Sequence, residues 1–184
     1  MKDVNELILK LKIELSKKDK SEGFNLAIES IASFYMENYN LTKNEVAILL
    51  TNKEKTMLSF AHPPYLVNSG MIPTNLGESI ASRVYSTGRG FMDNNLQQQR
   101  HLFIFESIKT PENRIIPIWK MISAKIGFEG VPLGVVEISK RSEKFQDAGP
   151  DFTFEDLQFL EESIKKVSPL LKGVMPENFL GLVR

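Results

Sequence analysis

The runs "IWKMISAKIGF" and "PLGVVEISK", parted only by "EG" and a flanking valine, constrain the fold most. Each is rich in β-branched and apolar residues, and a gap this short between two such runs predicts a β-hairpin. A second pair, "NEVAILLTN" and "TMLSFAH", is joined by the polar "NKEK" and reads the same way. The expected strands span residues 44–51, 55–61, 117–126 and 132–140. Two hairpins require an antiparallel sheet, and the remaining periodicity is helical. Val4, Leu7, Ile8, Leu11 and Leu15 form one stripe over residues 3–18, with Leu9 and Ile13 as a second apolar strip. Phe24, Ala27, Ile28, Ile31, Phe34 and Tyr35 repeat over 24–38, and Leu157, Leu160, Ile164, Val167 and Leu171 over 154–171. Spacings of three and four place each set on one helix face. Helices segregated around an antiparallel sheet define an α+β fold.

Boundary residues sharpen these limits. Thr153 suits a helix N-cap, Asp156 three residues on completes a capping box, and Phe152 with Leu157 forms a hydrophobic staple. A shorter helix is expected over 76–87, with Asn75 and Glu78 at capping-box spacing and Gly88 as its left-handed end. A short strand around Phe91 and Met92 follows, then the polar loop "DNNLQQQRH". "LFIFESI" is readable as strand or helix, "SKKDKSEG" as a charged break, and "PPYLVNSGMIPTN" as loop.

Composition removes several function classes. Lys+Arg and Asp+Glu both number 23 of 184 residues, so no net field draws the chain to nucleic acid or to an anionic membrane. No cysteine is present, which excludes disulfides, thiolate metal sites, cysteine nucleophiles and a thioether-attached chromophore; any other cofactor is left open. The N-terminal segment has charges every few residues and no run of signal-peptide or membrane-span length, so a cytoplasmic location is expected. His62 and His101 are the only histidines, and neither has a partner at helical metal-ligand spacing. Phosphate-binding Gly-Lys-Ser/Thr loops and Gly-x-Ser-x-Gly elbows are missing, so no enzymatic activity is expected.

Three segments in order, "LGESIASRVYSTGRGFMDNN", "WKMISAKIGFEGVPLGVVEISKR" and "AGPDFTFEDLQFLEESI", resemble the GAF domain family of small-molecule sensor modules. The resemblance covers roughly residues 24–171, and it departs from the family where Lys125 replaces a frequent proline at a strand end. It implies terminal helices on one sheet face, and a middle helix roofing a ligand pocket on the other. The matching region contains Arg83, Phe91, Met92, Arg100, Trp119, Met121 and Glu137 as expected ligand-binding residues, with Arg89 and His101 nearby. Strand alternation sets Trp119, Met121 and Ser123 on the pocket face and Ile118, Ile122 and Ala124 on the other. The arginines crowded between 83 and 114 favour an anionic ligand, and the tryptophan an aromatic one.

The resemblance also implies an ion pair between Lys140 and Asp156. Methionine-sulfoxide reduction, known in some members, uses cysteine thiols and is not expected in a chain without them. The expected organisation is an N-terminal helix over 1–20 that serves dimerisation, a sensor domain over 21–172 and a tail over 173–184. The expected function is a non-enzymatic, homodimeric signalling sensor acting on a separate effector protein. The alternative is a dimeric interaction scaffold whose pocket is filled by its own side chains.

Overall fold

The computed structural model describes residues 2–75, 77, 79–96 and 115–181. Arg100, His101 and the "LFIFESI" segment lie outside the described residues. The element order is α1 (Val4–Leu15), α2 (Lys20–Tyr39), β1 (Val46–Thr51), β2 (Met57–His62), β3 (Met71–Pro73), α3 (Ile80–Thr87), β4 (Phe91–Asp93), β5 (Ile118–Phe128), β6 (Val131–Arg141) and α4 (Phe154–Val174). The strands form one antiparallel sheet in the order β3-β2-β1-β6-β5-β4. Both expected hairpins are present, and the fold class is the α+β arrangement read from the sequence.

Alternation along the strands divides the core into two layers. Ile122, Ala124 and Ile126 of β5 join Val136 and Ile138 of β6 in packing against α1, α2 and α4. On the opposite face Ala47, Leu49, Met121 and Val135 meet Ile80, Ala81, Val84 and Tyr85 of α3. The α4 stripe Leu157, Leu160, Ile164, Val167 and Leu171 is buried in the first layer, beneath α1 and α2. Tyr35 and Ser163 join their hydroxyls at 3.0 Å between α2 and α4 within this layer. Beyond α4, the Phe179 ring lies 5.5 Å from that of Phe24, so the tail docks on its own chain. Among the described residues, no helix is long and apolar enough to cross a membrane.

Several boundaries differ from the sequence reading. The charged break is shorter, because Asp19 accepts the Glu22 N–H and starts α2 at Lys20. The stretch read as loop contains β3, whose Ile72 stands opposite Leu58. The helix expected from residue 76 starts at Ile80, since Ser79 and not Asn75 supplies the cap by accepting the Ser82 N–H at 3.0 Å. Gly88 does end that helix, at φ 70°. Thr153 and Asp156 form the expected capping box. Lys140, however, donates to the Pro150 carbonyl at 2.6 Å and lies 4.4 Å from the Phe152 ring centroid. The Asp156 carboxylate accepts the Thr153 N–H at 2.8 Å and acts on Lys140 through its charge, without a contact ion pair among the described residues.

The β5–β6 register corrects the assignment of faces near Trp119. Ile118 is opposite Arg141 and Lys120 opposite Lys140, which leaves Trp119 as the extra residue of a bulge. The bulge turns Ile118 to the α3 side with Met121, away from Ile122 and Ala124.

Candidate functional site

The middle of the sheet face beneath α3 carries polar side chains where aliphatic ones would be expected. The register aligns Phe91 of β4, Ser123 of β5, Glu137 of β6 and Ala47 of β1 as one row across four strands. The adjacent row holds Asp93, Met121 and Ser139. Ser123 and Ser139 are fully buried, Met121 is 2% exposed and Glu137 is 5% exposed. The local sequence explains the placement. In "VVEIS", Val136 and Ile138 turn to the helical layer, and so Val135, Glu137 and Ser139 must share the other face.

These polar groups are not equally satisfied. Ser139 directs its hydroxyl to the Glu45 carbonyl at 3.3 Å. Ser123 Oγ has no hydrogen-bond partner. Burial pushes the Glu137 carboxyl up to about 7, against the opposing pull of the Arg141 charge. A buried polar group without a partner costs on the order of 1–3 kcal/mol, so this floor is a place where a ligand's polar atoms would be gained back as stability.

α3 forms the wall. Arg83 holds its guanidinium 5.1 Å from the centroid of the Phe91 ring, and Lys125 of β5 places its ammonium 5.9 Å from that of Tyr85. The Tyr85 hydroxyl donates to Thr51 Oγ1 at 3.2 Å, which fixes the ring at the far side. Arg83, Phe91, Met121 and Glu137 are therefore associated with this face. Two other expected residues are not. Met92 stands opposite Ile122 and belongs to the other sheet face, because β4 alternates around it. Trp119, displaced by its bulge, donates from Nε1 to the Ser142 carbonyl at 3.0 Å and meets the Phe145 ring edge-on at 5.7 Å. Its fluorescence would report on residues 142–147 and not on the floor. Ser123 was expected on this face and is there; Ser139 and Asp93 were not among the expected residues, and a hydroxyl or carboxyl at every second strand position was the signal.

β4 is tied to the helical layer at both ends. Asn94 donates from Nδ2 to the Phe152 carbonyl at 2.9 Å and accepts the Phe152 N–H on Oδ1 at 2.8 Å. Gly90 lies so close to Leu157 and Glu161 of α4 that a side chain there would collide. The edge of the site is thus clasped to the start of α4. Asn94→Ala removes both bonds and leaves part-buried backbone groups unmatched, and should lower unfolding free energy by about 2 kcal/mol in urea titrations.

No protein-family model and no curated protein sequence matches the chain. Solved structures do. The chain resembles the GAF domain of a phosphoenolpyruvate-protein phosphotransferase from Coxiella burnetii, at 10% identity and TM-score 0.61, over 92% of this chain and 93% of that one. It resembles free methionine-R-sulfoxide reductase from Neisseria meningitidis, solved with its substrate, at 15% identity and TM-score 0.61, over 95% and 93%. A GAF domain/HD domain protein from Geobacter sulfurreducens matches at 9% identity and TM-score 0.59, over 85% and 98%. The chain has the GAF fold.

Proposed function

We propose that the chain is a non-enzymatic sensor module that binds a small molecule between the α3 wall and the floor formed by Met121, Ser123, Glu137 and Ser139. The observation that carries this reading is the Ser123–Glu137 pair, buried and opposite each other, with Ser123 Oγ unpartnered among the described residues and the Glu137 carboxyl pushed up by burial. A scaffold that only filled its own interior would gain stability from aliphatic residues at both positions. The lack of cysteine supports a role other than the thiol-based reduction that the resemblance connects with the fold. Leu9 and Ile13, exposed on α1, support pairing of two copies; a cytoplasmic location and a separate effector protein belong to the same reading.

The rival scaffold reading is favoured by Met121, which sits fully within the α3 apolar cluster. A thermal-shift screen against nucleotides, nucleobases, keto acids, haem and free amino acids separates the two. A ligand at a hundred times its Kd should stabilise the native state by about 2.7 kcal/mol. That stabilisation should be lost in Phe91→Ala. An unresponsive protein that Ser123→Val and Glu137→Leu both stabilise is a self-filled scaffold.

A further inference from the structure

We propose that the floor recognises a protonated amine, with Glu137 as its counter-charge and Ser123 Oγ as a second hydrogen-bond acceptor. The inference rests on the sensor reading and names the chemical class of its ligand. It departs from the anionic ligand that the arginines suggested in the sequence.

Both polar groups at the centre of the floor can accept hydrogen bonds. An ionised carboxylate accepts only, a serine hydroxyl accepts readily, and the two are direct cross-strand neighbours on one face. Side chains on such a pair have Cβ atoms about 5 Å apart, a separation that one ammonium group can bridge. Among the described residues, none donates a hydrogen bond to either side chain. Arg141, four residues along the same strand, acts on Glu137 through its charge and donates from Nη1 to the Ile116 carbonyl at 3.5 Å. Arg83 is seated on Phe91, which lies two strands from Glu137, roughly 10 Å in the plane of the sheet. Lys125 is held over Tyr85. Among the described residues, the charged groups around the floor are Arg141 on β6, Asp93 on β4, Lys125 on β5 and Arg83 on α3, with Glu45 beyond Ser139 and Tyr85 as a further titratable group. The cations are placed at its rim, while the acidic group occupies its centre.

An incoming anion would meet Glu137 unfavourably unless Glu137 carried a proton. The two classes of ligand thus predict opposite pH dependence. An amine requires the carboxylate, so its affinity should rise about tenfold per pH unit below 7 and level off above it. An anion accepting a hydrogen bond from protonated Glu137 would bind more tightly as pH falls.

Isothermal titration of the full chain with free amino acids, putrescine, agmatine and 2-phenylethylamine, each beside its N-acetyl derivative, provides the test. One or more of the amines should bind, and full N-acetylation should abolish binding. Glu137→Gln should weaken it at least tenfold and flatten its pH dependence. Ser123→Ala should weaken it several-fold. Circular dichroism and Tm at acidic pH, where Glu137 is neutral, check that each variant folds. Equal binding of the acetylated compounds, tighter binding at low pH, or indifference to Glu137→Gln overturns the amine inference. If nucleotides or keto acids bind in a Phe91-dependent way and the amines do not, the sensor reading stands and the amine falls. If nothing in either panel binds, both fall.

Discussion

Gly134→Ala should be the most damaging single substitution in the sheet, costing more than about 4 kcal/mol or preventing folding. Gly134 lies on β6 between two partners, opposite Leu50 of β1 and Ile126 of β5. An added Cβ would overlap the Leu49 carbonyl oxygen and stand 3.0 Å from the Leu50 Cα. Both obstacles are backbone, so no rotamer change relieves them. Relief requires β1 and β6 to separate at the centre of the molecule, with loss of pairing and of packing on both faces. Gly173→Ala makes the matched control. It lies within α4 with nothing within 4 Å of the new methyl, and should stabilise by about 0.5–1 kcal/mol through helix propensity. Urea unfolding of the two variants beside the parent reads both effects.

The second large effect is on pH dependence. Folding raises the Glu137 carboxyl from 4.5 to about 7, with burial as the main cause. Below 4.5 the group is protonated in both folded and unfolded chains and contributes nothing. Between 4.5 and 7 the folded chain holds a proton that the unfolded chain has released, so stability falls as pH rises through this window. Above 7 the penalty is complete, on the order of 3 kcal/mol. Glu137→Gln should therefore unfold like the parent at pH 4 and be more stable at pH 8, by up to that amount. The gain is reduced by whatever the buried amide leaves unpaired. Parallel stability curves for the two proteins at all pH values would show that Glu137 is not desolvated as described.

The layers were legible in the sequence because periodicity carries them. The α4 stripe at spacings of three and four, and the alternation in "VVEIS", each assign a face without knowledge of the partner. What escaped was fixed by choices between local competitors. Asn75 and Ser79 both suit a helix cap, and only the Ser79 and Ser82 bonds to neighbouring backbone decide between them. β3 was hidden in a stretch containing Gly70 and Pro73, and it forms because β2 offers a free edge. The bulge at Trp119 has no signal of its own in composition, yet it removed that residue from the floor. One inserted residue reverses every later side chain, so strand faces read by counting are secure only up to the first irregularity. Charge is weighted differently in the sequence and in the fold. Arginines are conspicuous in a sequence, whereas the acidic group buried on this face is Glu137, itself among the expected residues.

The most direct measurement is an amide chemical-shift titration of the isotope-labelled chain with a compound that raises its Tm. If the sheet face beneath α3 is the binding site, the perturbed amides should cluster at 91–93, 121–123 and 137–139, with smaller changes at Phe152 through the Asn94 clasp. Perturbation confined to the surface groove between α1 and α2, lined by Lys2, Leu7, Lys10, Phe34 and Glu37, with those three strands unmoved, would contradict it.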